Sequence, residues 1–446
     1  MVTGLRLLEQ SDPCALYEVL PNGEHVILTA GELHLERCLK DLRERFAKCE
    51  IQTGQTIVPY RETIVRAAEM AAPKNPDLGR GGVLAVSASK QLTVRLKVIP
   101  LPEAVTDFFT KHVGTIKRLQ SQKRIIRAEG ENATLSSEST QQDEAADATG
   151  EAREVSLLSL DDFRKELSKT FEEVKEDKEL WKDVVDKIIA FGPRRTGPNV
   201  LIDATVVNTC EKFLLDDPKQ QPSVLPENAS RDALIVRDFC DKITYAFQLA
   251  TAQGPLCQEP IQGIAVFLEE IQINNHEDEV DLGRLTGETI RLVRESISQG
   301  FLDWSPRIML AMYSCEIQAS TEVLGRVYGV ITRRRGRILS ETMKEGTPFF
   351  TILSLLPVAE SFGFAEEIRK RTSGAAQPQL IFAGFEALDQ DPFWVPATEE
   401  ELEDLGELAD RENVAKMYVD AVRSRKGLFV QGKKLIDAEK QKTLKK

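Results

Sequence analysis

The stretch Arg307-Ile-Met-Leu-Ala-Met-Tyr-Ser-Cys-Glu-Ile-Gln-Ala319, continued as far as Phe385, decides the fold. It reads as a strand, and Thr321 to Thr332 as a helix. Gly336 to Met343 and Phe349 to Pro357 are two further strands. Ser361 to Thr372 is a second helix and Gln379 to Phe385 a last strand. This is one complete βαββαβ unit of the ferredoxin-like kind. Far upstream, the N-terminus shows the same order with its first strand missing. A helix through Leu5 and Leu8 ends at Ser11-Asp12-Pro13, because a residue before proline is pushed out of the helical region. Ala15 to Leu20 and His25 to Ala30 flank Asn22-Gly23, which supplies the positive backbone angles of a tight hairpin. Glu32 to Phe46 carries Leu33, Leu35, Leu39, Leu42 and Phe46 at helical period.

Between the two units the pattern is mixed, with strands expected at Leu92 to Pro100, Val200 to Val207 and Ile264 to Ile273 and a charged helix from Leu160 to Ile189. Glu129 to Glu154 holds eight acidic residues against one basic, with Leu135 as its only large apolar residue. Such a segment buries too little to offset its ordering entropy and is expected to be a disordered acidic insertion. After Pro396, Thr398 and Glu401 read as a capping box opening a helix to Arg425. The tail beyond it is basic.

A chain of 446 residues needs more than one core. No apolar run reaches the roughly 18 residues that span a bilayer, which gives a membrane role no support. The residues after Met1 lack the basic start, apolar stretch and cleavage site of a secretory signal, so the expected location is cytoplasmic. Seven cysteines without a C-x-x-C pair argue against a disulfide framework or a zinc site, and reduced, structural thiols are expected. A net charge of -13 argues against indiscriminate nucleic-acid binding, yet Lys111 to Arg127 and Arg333 to Arg337 form basic patches.

Six blocks occur in order: Thr29-Ala-Gly-Glu-Leu-His-Leu-Glu36; Tyr60-Arg-Glu-Thr63; Phe191-Gly-Pro193 with Thr196-Gly-Pro-Asn199; Gln253-Gly-Pro-Leu-Cys257; Arg333-Arg-Arg-Gly336; and Leu356-Pro-Val-Ala-Glu-Ser-Phe-Gly-Phe364. They resemble successive signatures of the elongation factor 2 class of translational GTPases. The resemblance implies an α+β multidomain chain with two ferredoxin-like domains flanking a fourth domain like ribosomal protein S5. By it, 1–63 resembles the third domain without its first strand, 64–304 the fourth, 306–381 the fifth, and 382–446 a C-terminal segment returning to pack on the fourth. The elongation factor's tip loop, His-Arg-Gly-Gly-Gly-Gln, has no counterpart after Phe267-Leu-Glu-Glu-Ile271, where Asn274-Asn-His276 stands instead.

That departure, with the acidic insertion, favours the elongation-factor-like GTPases of large-subunit assembly. The spliceosomal U5 GTPase and an elongation factor 2 paralogue are the alternatives. The resemblance implies a monomer that docks on the large ribosomal subunit, with initiation factor six and the Shwachman-Bodian-Diamond protein as partners. GTP and Mg²⁺ belong to an N-terminal domain of the family that this stretch does not match, and no cofactor is expected here.

Residue by residue, chemistry is sparse. Gly427 to Lys433 has phosphate-loop spacing, but Lys434 stands where the magnesium-binding hydroxyl should be, and the segment before it is not strand-like. No catalytic or metal-binding group is expected: His25, His34, His112 and His276 include no pair at ligand spacing, and acidic neighbours suit His276 poorly to RNA. The candidate RNA or partner contacts are Arg333, Arg334, Arg335 and Arg337, whose guanidinium forks can bind phosphate from a turn, and Arg194 and Arg195 in a Gly-Pro-framed loop. Lys111 to Arg127 reads as a packed helix with a solvated basic face.

Overall fold

The structure, a computed structural model, describes residues 1–446 except 20–22, 30, 55, 68–69, 71, 132–157, 175–177, 206–209, 215–230, 274–281, 344, 395–412 and 431–446. The chain divides into two compact units, Met1–Pro59 with Ala311–Gly384, and Tyr60–Leu310 with Phe385–Lys446.

In the N-terminal segment, α1 (Val2–Ser11) buries Leu5 and Leu8 and stops at Asp12, whose extended backbone suits the following Pro13. β1 (Leu16–Val19) and β2 (His25–Leu28) pair antiparallel. α2 (Glu32–Asp41) has an acid in its first turn and Lys40 in its last, matching the helix dipole, and runs on into a π-helical turn at Leu42–Phe46. Leu8, Ala15 and Cys38 form a small core with Ile27 and Phe46 against them. The helix, strand, strand and helix read from the sequence are present in that order, and the last strand expected of the unit is not seen among the described residues. After α2, Lys48 turns left-handed and Ile57 is exposed.

The second unit opens with β3 (Tyr60–Val65), buried at four of six positions. Its main sheet holds β4 (Gly82–Val86), β5 (Leu92–Pro100), β6 (Ile188–Gly192), β7 (Asn199–Asp203) and β8 (Ile264–Ile273) in the order β4-β5-β8-β7-β6. β7 and β8 run parallel and the other pairs antiparallel. Phe191, Val200, Ile202 and Phe267 share a core with residues of α3 (Glu103–Lys111), α4 (Val113–Glu131) and α5 (Leu160–Glu173), and with Trp181 of α6 (Lys178–Trp181). The alternate residues Leu201, Val266 and Leu268 are buried too, and α7 (Arg231–Ala252) and α8 (Leu282–Phe301) pack on the sheet. A sheet covered on both faces explains why β7 is apolar without alternation.

Two expectations from the sequence fail in this unit. The charged helix does not reach Ile189: α5 ends at Glu173, Val174 is extended, and Ile188-Ile-Ala-Phe-Gly192 is the apolar strand β6. The cysteines are not all free, because Cys210 and Cys240 are brought to a Cα separation of 5.7 Å and joined as a disulfide. Most of the acidic insertion lies outside the described residues, as do His276 and the Thr398–Glu401 capping box.

β9 (Ser305–Ser320) pairs through Ser305–Leu310 with β3 and through Met312–Ser320 with β11 (Phe349–Pro357). Tyr60–Thr63, expected at the end of the N-terminal domain, thus lie in a strand of the second unit. In the first unit, β10 (Arg337–Met343) and β12 (Ala376–Ala387) complete the order β10-β11-β9-β12. α9 (Leu324–Arg333) and α10 (Phe364–Arg371) cover it, burying Cys315, Ile317, Ile352, Leu356, Val327, Ile331, Phe364 and Ile368 together. This is the βαββαβ unit read from the sequence, including its full complement of four strands. α11 (Val414–Arg425) closes the described chain, its first turn capped by Asn413 accepting from the Lys416 N–H at 3.0 Å. No described helix is long and apolar enough to cross a membrane.

Candidate functional site

The arginine turn after α9 is shaped by Arg335, which is left-handed, and Gly336, where a β-carbon would collide with Ile331. Its four arginines do different things. Arg334 turns inward: Nε and Nη2 donate to Glu367 Oε2 at 3.0 and 2.8 Å, and Nη1 donates to the carbonyls of Glu360 and Phe362 at 2.8 and 2.5 Å. Those bonds hold the Glu367 carboxyl below the usual carboxylate range. Arg334 thereby fastens Glu360 and Phe362, within the Leu356–Phe364 block, to the turn. Arg333 makes a longer contact with Glu367, at 3.4 Å, and its side chain stays 61% exposed. Arg335 lies 3.9 Å from Glu360, and Arg337 is exposed on β10.

Arg194 and Arg195 stand in the second unit, on the tight connection between β6 and β7. Both are left-handed and exposed. The loop beneath them is fixed by packing and hydrogen bonds. Gln248 accepts from the Arg195 N–H at 2.8 Å and donates to the Phe191 carbonyl at 2.5 Å. Asn199 is fully buried and donates to the carbonyls of Gly192 and Ile261 at 2.9 and 2.7 Å. A β-carbon on Gly197 would run into Pro193 and the Gly192 carbonyl, so the turn needs glycine there. The outcome is two guanidinium groups on a braced support. The Lys111 to Arg127 stretch packs through Ile116 and Leu119, with Lys111 and Lys117 facing solvent.

A third arrangement joins two of the sequence blocks in a way that the sequence does not reveal. The fully buried carboxylate of Glu62, in β3, accepts from the N–H groups of Leu256, Cys257 and Glu259 at 2.8, 2.9 and 3.0 Å. Burial pushes its pKa up, against the three donors, which favour the anion. The same loop meets cations through its carbonyls. Arg423 donates to Leu256, and Lys426 to Cys257 and Gln258 at 3.0 and 2.7 Å and to the Glu259 carboxylate at 2.8 Å. Next to Glu62, Arg61 stacks 4.0 Å from the Phe385 ring and donates to Gln262 at 2.6 Å, and burial lowers its pKa to about 10. The usable signal is an acid inside an otherwise β-forming strand, with a Gly-Pro loop elsewhere to receive it.

Arg334 and Glu62 are inward and hydrogen-bonded, whereas Arg333, Arg337, Arg194 and Arg195 are exposed. Among the described residues neither arginine group is joined to a nucleophile with a base, and the two groups lie in different units.

Comparison with known proteins gives the arrangement a context. Residues 97–204 match the family model of the elongation factor-like GTPase 1-like domain, and 308–394 that of the elongation factor G C-terminus. Over its whole length the chain is 50% identical to ribosome assembly protein 1 of Schizosaccharomyces pombe and 44% identical to that of Saccharomyces cerevisiae, covering 42% and 38% of them. It is 35% identical to human elongation factor-like GTPase 1, covering 43% of it. The chain thus spans less than half the length of the relatives it matches, and by sequence it belongs to the elongation-factor-like family of ribosome-assembly GTPases.

Proposed function

We propose that this chain supplies the large-subunit docking and conformational-transduction part of a cytoplasmic GTPase that promotes release of the anti-association initiation factor six from maturing 60S particles. The observation that carries the reading is 50% identity to ribosome assembly protein 1 along the entire chain. The match covers the whole chain and therefore both units. Nucleotide and Mg²⁺ are handled in this proposal by a part of the relatives that the chain does not match. The work of the chain is mechanical: Arg333, Arg335, Arg337, Arg194 and Arg195 meet phosphate or partner surfaces, while Arg334 holds the turn that presents the first three and Gln248 and Asn199 brace the loop that presents the last two. A transducer of this kind acts through contacts that differ between two domain arrangements. The Shwachman-Bodian-Diamond protein is the expected co-factor in that exchange.

The test is a chimera in which this chain replaces the matching stretch of ribosome assembly protein 1 in fission yeast. Growth, with initiation factor six cleared from cytoplasmic 60S particles, is the expected result. A chimera that is expressed and folded but leaves that factor on the particles overturns the reading. Co-purification with U5 RNA in place of 60S subunits would move it to the spliceosomal relative.

A further inference from the structure

The Thr29–Glu36 block, read from sequence as a packing signature, places more than apolar surface. His34 and Cys38 lie one turn apart on α2, and Asp12, at the end of α1, reaches both: its Oδ2 is 2.7 Å from His34 Nε2 and 4.0 Å from Cys38 Sγ. One ligand atom from each residue falls within 4.8 Å of the others. We propose that Asp12, His34 and Cys38 form a three-ligand site for a zinc-class divalent cation, leaving a fourth position open to solvent or a partner.

Three features carry it. Tetrahedral zinc, with bonds of about 2.0–2.3 Å, needs donor atoms roughly 3.3–3.8 Å apart. The pocket reaches that spacing when the 2.7 Å Asp12–His34 pair opens by about an ångström and Cys38 Sγ, 4.0 Å from Asp12 Oδ2 and within 4.8 Å of the imidazole, closes by up to about an ångström. The donor set is thiol, imidazole and one carboxylate, which suits zinc or cobalt and not magnesium or calcium. Charge agrees: a carboxylate from Asp12 and a thiolate from Cys38 would balance a dication. The other Asp12 oxygen accepts from the Cys14 N–H at 3.0 Å, an outer contact that fixes the carboxylate plane.

The site also has something to do. Among the described residues this segment's hydrophobic cluster is small, Leu8, Ala15 and Cys38 with Ile27 and Phe46 partly buried against it. A metal joining the end of α1 to the middle of α2 is the kind of staple that small cores use. On binding, Cys38 gives up its thiol proton to solvent, and neutral His34 ligates through Nε2 with its ring proton on Nδ1. No redox change is involved. The cluster is invisible in sequence because Asp12 lies 22 residues before His34, far outside the local spacing of paired cysteines or histidines.

The test is titration of the purified, chelator-treated full chain with Co²⁺ under a non-thiol reductant, reading thiolate-to-cobalt charge-transfer absorption. One equivalent should saturate the band, Zn²⁺ should displace it, and Cys14→Ser or Cys49→Ser should leave it unchanged. Cys38→Ser should abolish it, and Asp12→Asn or His34→Gln should weaken binding at least about tenfold. Because Cys38→Ser removes a buried group, Zn²⁺-dependent hydrogen-exchange protection of α1 and α2 in the native chain is the second readout. Absence of a saturable band in the native chain, a band surviving Cys38→Ser, or unchanged protection with Zn²⁺ overturns the proposal. None of these outcomes bears on the ribosomal reading.

Discussion

The carboxylate of Glu62 occupies the space that a side chain on Gly254 would need: a β-carbon there would collide with both oxygens and the carbon that carries them. Because three N–H groups of the 254–259 loop fix that carboxylate, it cannot step aside without losing them. Gly254→Ala should therefore destabilise the second unit by about 1–3 kcal/mol, as overpacking does. Gly325→Ala is the control, since nothing lies within 4 Å of a β-carbon there and α9 should gain about 0.5–1 kcal/mol from losing a glycine. Urea denaturation of the two variants should show midpoints moving in opposite directions.

The arginine turn separates holding from presenting. Arg334→Ala leaves Glu367 with only its longer contacts to Arg333 and Arg371 and strands the two carbonyls that Arg334 now satisfies, and should cost about 1.5–3 kcal/mol. Arg334→Lys should recover little, because a point charge cannot serve the same fork. Arg333→Ala and Arg337→Ala should stay within about 0.5 kcal/mol of the parent. They should still weaken binding to purified large subunits, with the salt slope falling by about one for each phosphate contact removed. Sedimentation at several salt concentrations distinguishes the two classes. Arginines that reduce both stability and binding in the same proportion would remove the division.

Glu367 gives a pH test of the same contact. Its folded pKa is depressed by Arg334, so its contribution to stability is fully present above the unfolded value of about 4.3. It is lost as pH falls through the depressed folded value. The stability difference between the parent and Glu367→Gln should therefore be steady near neutrality and shrink on acidification below about pH 5. A difference that grows as the pH falls would mean that the carboxyl is not held ionised by Arg334.

The C-terminal βαββαβ unit was legible because each step is local. Strand and helix periods, a Gly-Arg turn and the Phe362–Phe364 helix start specify it within about 80 residues. In the N-terminal segment local pattern places the helices and the hairpin, but a last strand needs a partner that local composition does not supply. Pairing is decided by distant surface, and β3 finds its partner about 240 residues away. The candidate arginines were legible as charge, but charge does not tell which guanidinium points inward. Arg334 and Arg333 are adjacent and chemically identical, and only the helix end decides that one meets Glu360 and Phe362 while the other faces water. The role of Glu62 is hidden for the same reason, since its donors lie 194 to 197 residues away.

Arg194 and Arg195 test whether a braced loop presents charge without depending on it. Arg194→Glu with Arg195→Glu should leave thermal unfolding of the second unit nearly unchanged, since both side chains are exposed. The same double variant should weaken large-subunit binding more than alanine does. Gly197→Ala should behave in the reverse manner, reducing stability through its collision with Pro193 while keeping both charges. Equal loss of stability in both variants would show the arginines to be structural.

The loop that Glu62 fastens from one direction is gripped from the other by α11 and the residue after it. The amides of Leu256, Cys257 and Glu259 spend their N–H groups on Glu62, whereas the carbonyls of Leu256, Cys257 and Gln258 are spent on Arg423 and Lys426. Removing one set leaves the other intact but unopposed. Lys426→Ala, alone and with Arg423→Ala, should therefore speed hydrogen exchange at the Leu256, Cys257 and Glu259 amides well before it lowers global stability, because local opening needs less free energy than unfolding. Glu62→Gln should speed the same amides and also lower global stability, since it alters a buried, charge-assisted acceptor. If the Lys426 and Arg423 variants leave those amides at parental rates, α11 rests on the loop without restraining it.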